Sequence, residues 1–247
     1  MKPERLDKAL AGQSTWSRRE VRDWIRQGLV TVDGIPVKSP EQKLDWEQHR
    51  VVVAGKELSL RPRLYLMMNK PAGVVSATRD DGCPTVVDLV PPQLRRRGLF
   101  PAGRLDKDTT GMMVITDDGA LAHRILSPKS HVPKTYLARL DRPVTAEMAE
   151  RFAAGIPLAG EEGACLPAAL ETVEETLARV VLWEGMYHQI KRMFAACGAR
   201  VVELHRVAMG ALPLDSGLAP GECRELTPEE LVLLQARDEG PSVGKGL

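Results

Sequence analysis

The residues best suited to chemistry stand in one charged loop, Gly103–Gly111, which runs directly into the apolar stretch Met112–Ile115. Loops held by rigid strands often carry catalytic groups, because the strands fix their position. Asp106 and Asp108 could act as a carboxylate pair in acid–base catalysis. Asp108 and Thr109 could equally cap a turn through side-chain hydrogen bonds. Composition alone favours this second, structural interpretation.

Two other chemistries fit the same loop less well. The tetrapeptide that starts at Asp108 resembles the turn of aspartic proteases, but those enzymes need two such aspartates and the chain has no second copy in the same setting. A hydrolase acting on a glycosidic bond would need a second ionised acid about 5–10 Å from the first. Asp108 is only two residues from Asp106, and no substrate-binding aromatic residues accompany it.

Three motifs in order resemble those of RNA pseudouridine synthases. Gly103–Gly111 resembles the family's nucleophile motif, Lys134-Thr135-Tyr136 its tyrosine motif, and Glu184–Met193 its basic motif. Within the family the similarity is to the RsuA-type subgroup, which modifies small-subunit ribosomal RNA, and His205-Arg206 favours that subgroup over large-subunit relatives. Met186 departs from the pattern, where arginine is expected, so one minor RNA contact would be absent.

The resemblance implies an isomerisation that needs no cofactor and no metal. The bond between uracil N1 and the ribose breaks, the base turns, and C5 is joined to the same sugar carbon. Asp106 would be the nucleophile, and Lys191 would be the cation that keeps it ionised, with Arg192 as the alternative partner. Tyr136 would stack on the uracil or take its C5 proton; the alternative is a core tyrosine with a satisfied hydroxyl.

Other residues of these motifs are expected to contact RNA. Arg104 would lie near the space left by a base that has been flipped out of its stack, unless it simply binds phosphate. Lys134, beside the tyrosine motif, would bind phosphate, together with Lys129 and His131. His188 and Arg192 are also expected to contact RNA. His188 and His205 could be general acids, although a lone histidine is more often structural. The target should be an unpaired or loosened region.

The first sixty residues form a separate basic unit. Ser17 and Glu20 have the spacing of a capping box at a helix start, and Asp33-Gly34 predicts a tight hairpin turn. Basic residues lie in or beside the first two helices, three of them on one helix face; they are Arg5, Lys8, Arg18, Arg19, Arg22 and Arg26. Such a stripe can follow a phosphate backbone or be a solvated helix face. Over residues 2–60 the pattern resembles an S4 domain, which implies RNA binding.

We therefore predict two domains and an α+β fold. A small helix-plus-hairpin S4 domain over residues 2–61 would be followed by a pseudouridine synthase domain over residues 62–236, with a mixed, largely antiparallel sheet. That sheet would present Asp106 in a cleft between two halves. A second basic run, Arg95-Arg96-Arg97, falls in the larger domain. The tail, residues 237–247, is expected to be disordered.

We expect a cytoplasmic, monomeric protein. The 247 residues are 43% hydrophobic with a formal net charge of +1. The four cysteines are too far apart for a C-x-x-C metal site and are expected to be reduced thiols. The N-terminus lacks the apolar run of a signal peptide. The expected partner is ribosomal RNA or a small-subunit assembly particle. The same chemistry on large-subunit RNA, or a non-catalytic RNA-binding role, are the alternatives; the presence of Asp106, Tyr136 and Lys191 together favours an enzyme.

Overall fold

The computed structural model describes residues 4–14, 16–45, 49–58, 63–130 and 132–237. Contacts divide the chain into two units, of which the first is Met1–Leu64 with Val90–Leu99 and the second is Tyr65–Leu89 with Phe100–Leu247. The first unit is thus not contiguous in sequence. The basic run that includes Arg95 belongs to it, and not to the larger unit as predicted. The domain boundary at residues 61/62 and the disorder of the tail stay predictions, because residues 59–62 and 238–247 lie outside the described part.

The first unit combines two helices with short strands. In chain order the elements are β1 (Glu4–Arg5), α1 (Leu6–Gly12), α2 (Arg18–Arg26), β2 (Val30–Val32), β3 (Ile35–Pro36), β4 (Lys43–Leu44), β5 (Val51–Val53) and β6 (Lys56–Leu58). Strands β3-β2-β5-β6 form an antiparallel sheet, and β1 pairs with β4. Buried aliphatic side chains of both helices pack with those of β2 and β5 in one hydrophobic cluster.

Local signals in this unit give the structure that they predict. Ser17 Oγ accepts a hydrogen bond from Glu20 N at 3.2 Å, and the Glu20 carboxylate accepts one from Ser17 N at 2.6 Å, which completes the capping box. Asp33 and Gly34 both have positive φ, 52° and 81°. This is the conformation that a two-residue hairpin turn requires.

The second unit is built on one large sheet. Its elements are β7 (Tyr65–Lys70), β8 (Phe100–Pro101), β9 (Thr110–Thr116), α3 (Gly119–Leu126), β10 (Lys134–Leu140), α4 (Ala146–Ala154), β11 (Ala169–Glu174), β12 (Leu177–Leu182), α5 (Gln189–Ala196), β13 (Val201–Met209), β14 (Leu212–Pro213), β15 (Cys223–Glu225) and α6 (Pro228–Leu234). The strand order is β11-β12-β10-β13-β9-β7-β15, with β14 on β13 and β8 on β9. Among the described strands of this sheet only β13 and β9 pair in parallel. The predicted α+β class and the mixed, largely antiparallel sheet are confirmed.

Two hydrophobic clusters divide this unit. One gathers α4 and α5 against β10, β12 and β13, where the rings of Phe152 and Phe194 are 4.7 Å apart. The other gathers α3 and α6 against β7 and β9. The parallel contact of β9 with β13, at Thr110 and His205, joins the two halves of the sheet. The loop that carries Asp106 ends at this junction.

The described part of the chain has no helix that is long and apolar enough to cross a membrane. Its four cysteines are all free thiols, namely Cys83, Cys165, Cys197 and Cys223. Burial raises the pKa of the Cys223 thiol to about 11, so this thiol is protonated at neutral pH.

Candidate active site

The glycines that bound the candidate catalytic loop meet a backbone requirement. Gly103 has φ 98° and Gly111 has φ 100°, a region that residues with a Cβ rarely adopt. At Gly111 a Cβ would also overlap the carbonyl oxygen of Arg206. Glycine therefore allows β9 to approach β13 closely just after Asp106.

Lys70, at the end of β7, binds the backbone of this loop. Its side chain is 0% exposed. The ammonium donates hydrogen bonds to the carbonyl oxygens of Thr109 at 2.8 Å, Asp106 at 3.0 Å, Pro71 at 3.1 Å and Lys107 at 3.3 Å. Burial lowers the pKa of Lys70 to about 8 against the attraction of Asp108 and Asp106. One buried cation thus fixes the backbone of the catalytic loop.

A second anchor comes from the segment after β7. Ser76 Oγ accepts a hydrogen bond from Leu105 N at 2.9 Å and donates one to Leu105 O at 2.8 Å. Gly73 N donates to Lys107 O at 2.8 Å. The residues on both sides of Asp106 are therefore tied to the same neighbouring segment, which limits the positions that the carboxylate can take.

Both carboxylate oxygens of Asp106 face basic side chains. Lys191 Nζ lies 2.9 Å from Oδ2, and His188 Nε2 lies 3.3 Å from Oδ1. Lys191 also donates to Asp108 Oδ1 at 2.6 Å. Burial would lower the pKa of Lys191, but its hydrogen bonds to Asp108 and Asp106 outweigh that effect and raise it. The lysine expected beside Asp106 is present and is charged at neutral pH.

Helix α5 places these basic groups. His188 precedes the helix with φ 48°, and its ring stacks on Tyr187 with centroids 3.9 Å apart. Gln189, which is 4% exposed, accepts a hydrogen bond from Met186 N at 3.0 Å and donates one to Glu184 at 2.7 Å. The predicted basic motif is therefore a turn closed by Gln189, followed by the start of α5. Lys191 lies in this helix, two residues after Gln189.

A cavity of about 710 Å³ opens beside Asp106. Its walls include Arg104, Tyr136, Lys134 and His188 among the predicted residues. All its lining residues belong to the second unit. The volume lies in the range of roughly 300–1,000 Å³ that is usual for small-ligand sites, which is enough space for a nucleoside. The structure thus brings Asp106, Tyr136 and Lys134 to one cavity, with Lys191 against Asp106.

Tyr136 lies on the sheet face that forms one wall of this cavity. Lys134 precedes it by two residues on β10 and so shares that face, and Arg206 is its partner on β13. The Arg206 guanidinium carbon is 6.0 Å from the centre of the Tyr136 ring. Tyr136 is therefore available to stack on a base, with two cations beside it.

Two predicted alternatives have other contacts. The Arg192 guanidinium donates to Glu161 at 2.9 Å and to Tyr187 O at 3.1 Å, so Lys191 and not Arg192 is the partner of Asp106. His205 Nδ1 lies 2.8 Å from Thr110 Oγ1, outside the cavity lining, and burial lowers its pKa. His205 therefore has a hydrogen-bond partner outside the cavity lining, as a structural histidine would.

In the first unit, two of the predicted RNA-contacting arginines bind an internal acid. Arg5 donates to Asp7 at 3.1 Å and Arg22 at 2.9 Å, and the Asp7 side chain is 0% exposed. Burial would raise the pKa of Asp7, but the hydrogen bonds from both arginines outweigh it and lower the pKa. Much of the charge of Arg5 and Arg22 is therefore compensated inside the unit.

The other basic residues of these helices are more exposed. Lys8 pairs with Glu4, and Arg26 pairs with Asp23 at 2.5 Å. Arg18 and Arg19 are exposed at the start of α2. The expected stripe of positive charge is thus reduced at the residues that have acidic neighbours.

Sequence reasoning missed Lys70, Ser76 and Arg206 as residues of the site. Lys70 could have been found from its position at the end of an apolar strand. A lysine that is buried there needs hydrogen-bond acceptors nearby. Ser76 and Arg206 have no comparable local signal. Their contacts with Leu105 and with Met112 span 29 and 94 residues of sequence.

Comparison with known proteins agrees with these motifs. The family model for RNA pseudouridylate synthase matches residues 64–196, and the model for the S4 domain matches residues 4–51. An uncharacterized RNA pseudouridine synthase of Bacillus subtilis, YtzG, is 46% identical over 93% of this chain and 98% of its own length. Ribosomal small subunit pseudouridine synthase A of Escherichia coli is 47% identical over 92% of this chain and 98% of its own. A crystal structure of a pseudouridylate synthase covers 94% of this chain and 99% of that chain, with 40% identity and a TM-score of 0.66.

Proposed function

Because the chain belongs to the RNA pseudouridylate synthase family, we propose that it converts a uridine of small-subunit ribosomal RNA to pseudouridine with Asp106 as the nucleophile. Family membership makes the chain an RNA pseudouridine synthase, an isomerase of the RsuA type with an S4 domain for RNA binding. The target RNA and the role of Asp106 go beyond what family membership shows.

The contact of Lys191 with Asp106 is the observation that supports the nucleophile. At 2.9 Å the Lys191 ammonium forms an ion pair with the carboxylate that would attack. The side chain remains 24% exposed and lines the cavity, so a substrate can reach it. Asp108 shares Lys191 but does not line the cavity, which favours Asp106 as the reacting group.

The geometry suits the following course. A uridine leaves its stack, at a cost of a few kcal/mol, and its base stacks on Tyr136. Asp106 attacks the sugar carbon C1′ or takes the C2′ proton; both routes break the bond from C1′ to N1. After the base turns, C5 bonds to C1′ while the ester bond to Asp106 breaks; on the second route the proton returns to C2′ as C5 bonds to C1′. The C5 proton is then lost and N1 gains one. Atoms and charge balance without a cofactor.

Small-subunit RNA is proposed as the substrate from the relatives. The Escherichia coli and Salmonella typhimurium proteins named ribosomal small subunit pseudouridine synthase A match nearly the full chain at 47% identity. Arg104, exposed at the cavity, and the exposed Arg18 and Arg19 of the S4 domain are proposed phosphate contacts. Lys8, Arg26 and His188 are proposed as weaker RNA contacts, since each already faces an acidic side chain.

The test uses small-subunit RNA transcribed without modifications. Wild type, Asp106→Asn and Asp81→Asn are incubated with it, and pseudouridine is mapped by carbodiimide-dependent stops in reverse transcription. Asp81 is a matched control because its side chain is 89% exposed and lies outside the cavity lining. We expect one stop with wild type and with Asp81→Asn. Asp106→Asn should lose at least about 10⁴-fold in rate, as loss of a nucleophile usually does, while RNA binding persists.

Other results would change the proposal in defined ways. A stop on large-subunit RNA alone would retain the chemistry and reject the proposed substrate. An active Asp106→Asn variant would reject the nucleophile. Binding without any stop on free RNA or on subunit particles would favour the non-catalytic alternative.

A further inference from the structure

We propose that Lys134 and Arg206 form an anion-binding pair that holds the uracil by its carbonyl oxygens after the bond to the ribose has broken. The inference rests on the proposed function, since it concerns the leaving base of that reaction. It assigns to these two residues a direct contact with the reacting base.

The pair is buried and has unused donors. Lys134 is 5% exposed and Arg206 is 2% exposed. Among the described residues, neither Lys134 Nζ nor Arg206 Nη2 has a hydrogen-bond partner. Buried charges are normally paired, because an unpaired one is costly. Two adjacent buried cations with unused donors at one wall of a cavity therefore indicate that an anionic or strongly polar ligand completes the site.

Strands β10 and β13 place the pair beside Tyr136, on which the base would stack. Lys134 and Tyr136 are two residues apart on β10 and therefore lie on the same face. Arg206 is paired with Tyr136 on the neighbouring strand β13. Arg206 Nε donates to Met112 O at 2.7 Å, which fixes the guanidinium while Nη2 stays free. All three side chains line the cavity. A uracil stacked on Tyr136 would therefore have its edge near Lys134 and Arg206.

The chemistry of the reaction supplies the anion. When the bond from C1′ to N1 breaks, its electron pair stays on N1, and the detached uracil is an anion with its charge spread over O2 and O4. When C5 bonds to C1′, the C5 proton leaves to a base and N1 regains a proton, so the charge exists only between the two steps. Fixed cations at such oxygens stabilise that stage selectively.

A phosphate group is the less suitable ligand. The phosphates of a flipped nucleotide remain on the RNA backbone, outside the cavity, where the exposed Arg104 can meet them. The buried pair is instead flanked by Leu182 and Leu204, which also line the cavity. Apolar neighbours suit the flat faces and edges of a base better than a phosphate.

A purely structural role is also less suitable. Glu184 lines the same cavity, but its Oε1 accepts hydrogen bonds from Leu166 N and Gln189 Nε2, both at 2.7 Å. Lys70 shows what a structural buried lysine looks like in this protein, since it has four carbonyl acceptors. Lys134 has none among the described residues.

The experiment compares Lys134→Met with Lys134→Arg, which keeps the charge, and with Arg179→Met as a control. Arg179 is 54% exposed on β12 and pairs with Glu171, so its loss should leave rate and binding unchanged. The readouts are the single-turnover rate at saturating RNA, the RNA Kd at several salt concentrations, and Tm. We expect Lys134→Met to lose about 10²–10³-fold in rate, to bind RNA within about threefold of wild type, and to have a Tm no lower. Lys134→Arg should regain part of the rate.

A substrate with 5-fluorouridine at the target position gives a further readout. Fluorine withdraws electrons and stabilises the detached uracil anion, so the enzyme needs less help from cations. Consumption of this nucleotide, followed by chromatography of nuclease digests, should be less sensitive to Lys134→Met than conversion of uridine. Equal sensitivity would overturn the assignment to the leaving base.

Three other outcomes would also overturn it. Weaker binding with an unchanged rate, and a salt slope reduced by about one, would make Lys134 a phosphate contact. A large fall in Tm would make it structural, and an unchanged rate and Kd would leave it without a role. These failures differ from failure of the proposed function, which would appear as inactive wild type or active Asp106→Asn.

Discussion

Lys70 and Lys134 are two buried lysines whose replacement by methionine should change stability in opposite directions. Burial lowers the pKa of each ammonium from 10.5 to about 8. At about 1.4 kcal/mol per tenfold change in an equilibrium constant, this corresponds to roughly 3 kcal/mol of unfavourable charge burial for either lysine at neutral pH. Methionine has a similar length and no charge, so each substitution relieves that cost.

The two lysines differ in the hydrogen bonds that they lose. Lys70 binds four carbonyl oxygens, whereas Lys134 Nζ has no partner in the described part of the chain. Hydrogen bonds from a charged group contribute about 1.5–3 kcal/mol each, so even the low value for three N–H donors exceeds the relief. We expect Lys70→Met to lower the free energy of unfolding by at least about 1 kcal/mol, and Lys134→Met to raise it by up to about 3 kcal/mol.

Urea unfolding followed by far-UV circular dichroism measures both changes, and hydrogen exchange of the peptide over residues 100–116 locates the effect. Only Lys70→Met should speed exchange in this peptide, because only Lys70 binds the loop carbonyls. The reasoning is refuted if Lys70→Met is as stable as Lys134→Met. It is also refuted if Lys134→Met is clearly less stable than wild type, since the charge burial would then have an unseen compensation.

The sign of the pH dependence provides an independent check on Lys134. Its pKa is lowered on folding, so between about pH 8 and 10.5 the unfolded chain binds more protons than the folded one. The stability advantage of Lys134→Met should therefore be full below pH 8 and decrease as pH rises towards 10. An advantage that grows with pH would contradict the assigned burial.

Activity, stability at low pH and backbone fit give three more expectations. Lys70→Met should also lower the single-turnover rate about 10²-fold, because a displaced Asp106 misaligns the reacting atoms; an unchanged rate would show that the loop holds its shape alone. Asp7→Asn should lower the free energy of unfolding by about 1.5–3 kcal/mol above pH 4. The difference from wild type should shrink as pH falls through the lowered pKa of Asp7, where the wild-type carboxylate is lost too. Gly111→Ala should destabilise by about 3 kcal/mol through its positive φ and backbone overlap; Gly119→Ala, with open space around its Cβ, is the matched control and should be close to neutral.

Features that depend on neighbours in sequence could be predicted well. The capping box of Ser17 and Glu20 and the hairpin turn at Asp33-Gly34 follow from the preferences of a few adjacent residues. The fold class followed from the alternation of such elements and from three motifs in the order of a known family. The proximity of Lys191 to Asp106, 85 positions apart in the chain, was expected only through that resemblance.

Features that depend on distant burial could not be predicted. Arg5 and Arg22 looked like surface charge because sequence does not show that Asp7 is 0% exposed between them. Arg206 looked like one residue of a strand, since neither its burial nor its cross-strand neighbour Tyr136 can be inferred from local pattern. Arg95 was predicted in the wrong unit, because no local sequence pattern shows that a segment packs with an earlier unit.

That returning segment makes the first unit depend on two separate stretches of sequence. Within this unit, residues 90–99 contact the N-terminal stretch through Arg97 N, which donates to Ser14 O at 3.2 Å, and through Arg96, which donates to Gln13 at 2.8 Å. The polypeptide therefore passes between the units three times instead of once. A deletion that starts the chain at residue 64 would leave these ten residues without the part of the first unit that they contact, so we expect the truncated chain to be less stable than the full one. Grafting the first unit of this chain onto another protein would have to carry both stretches of sequence.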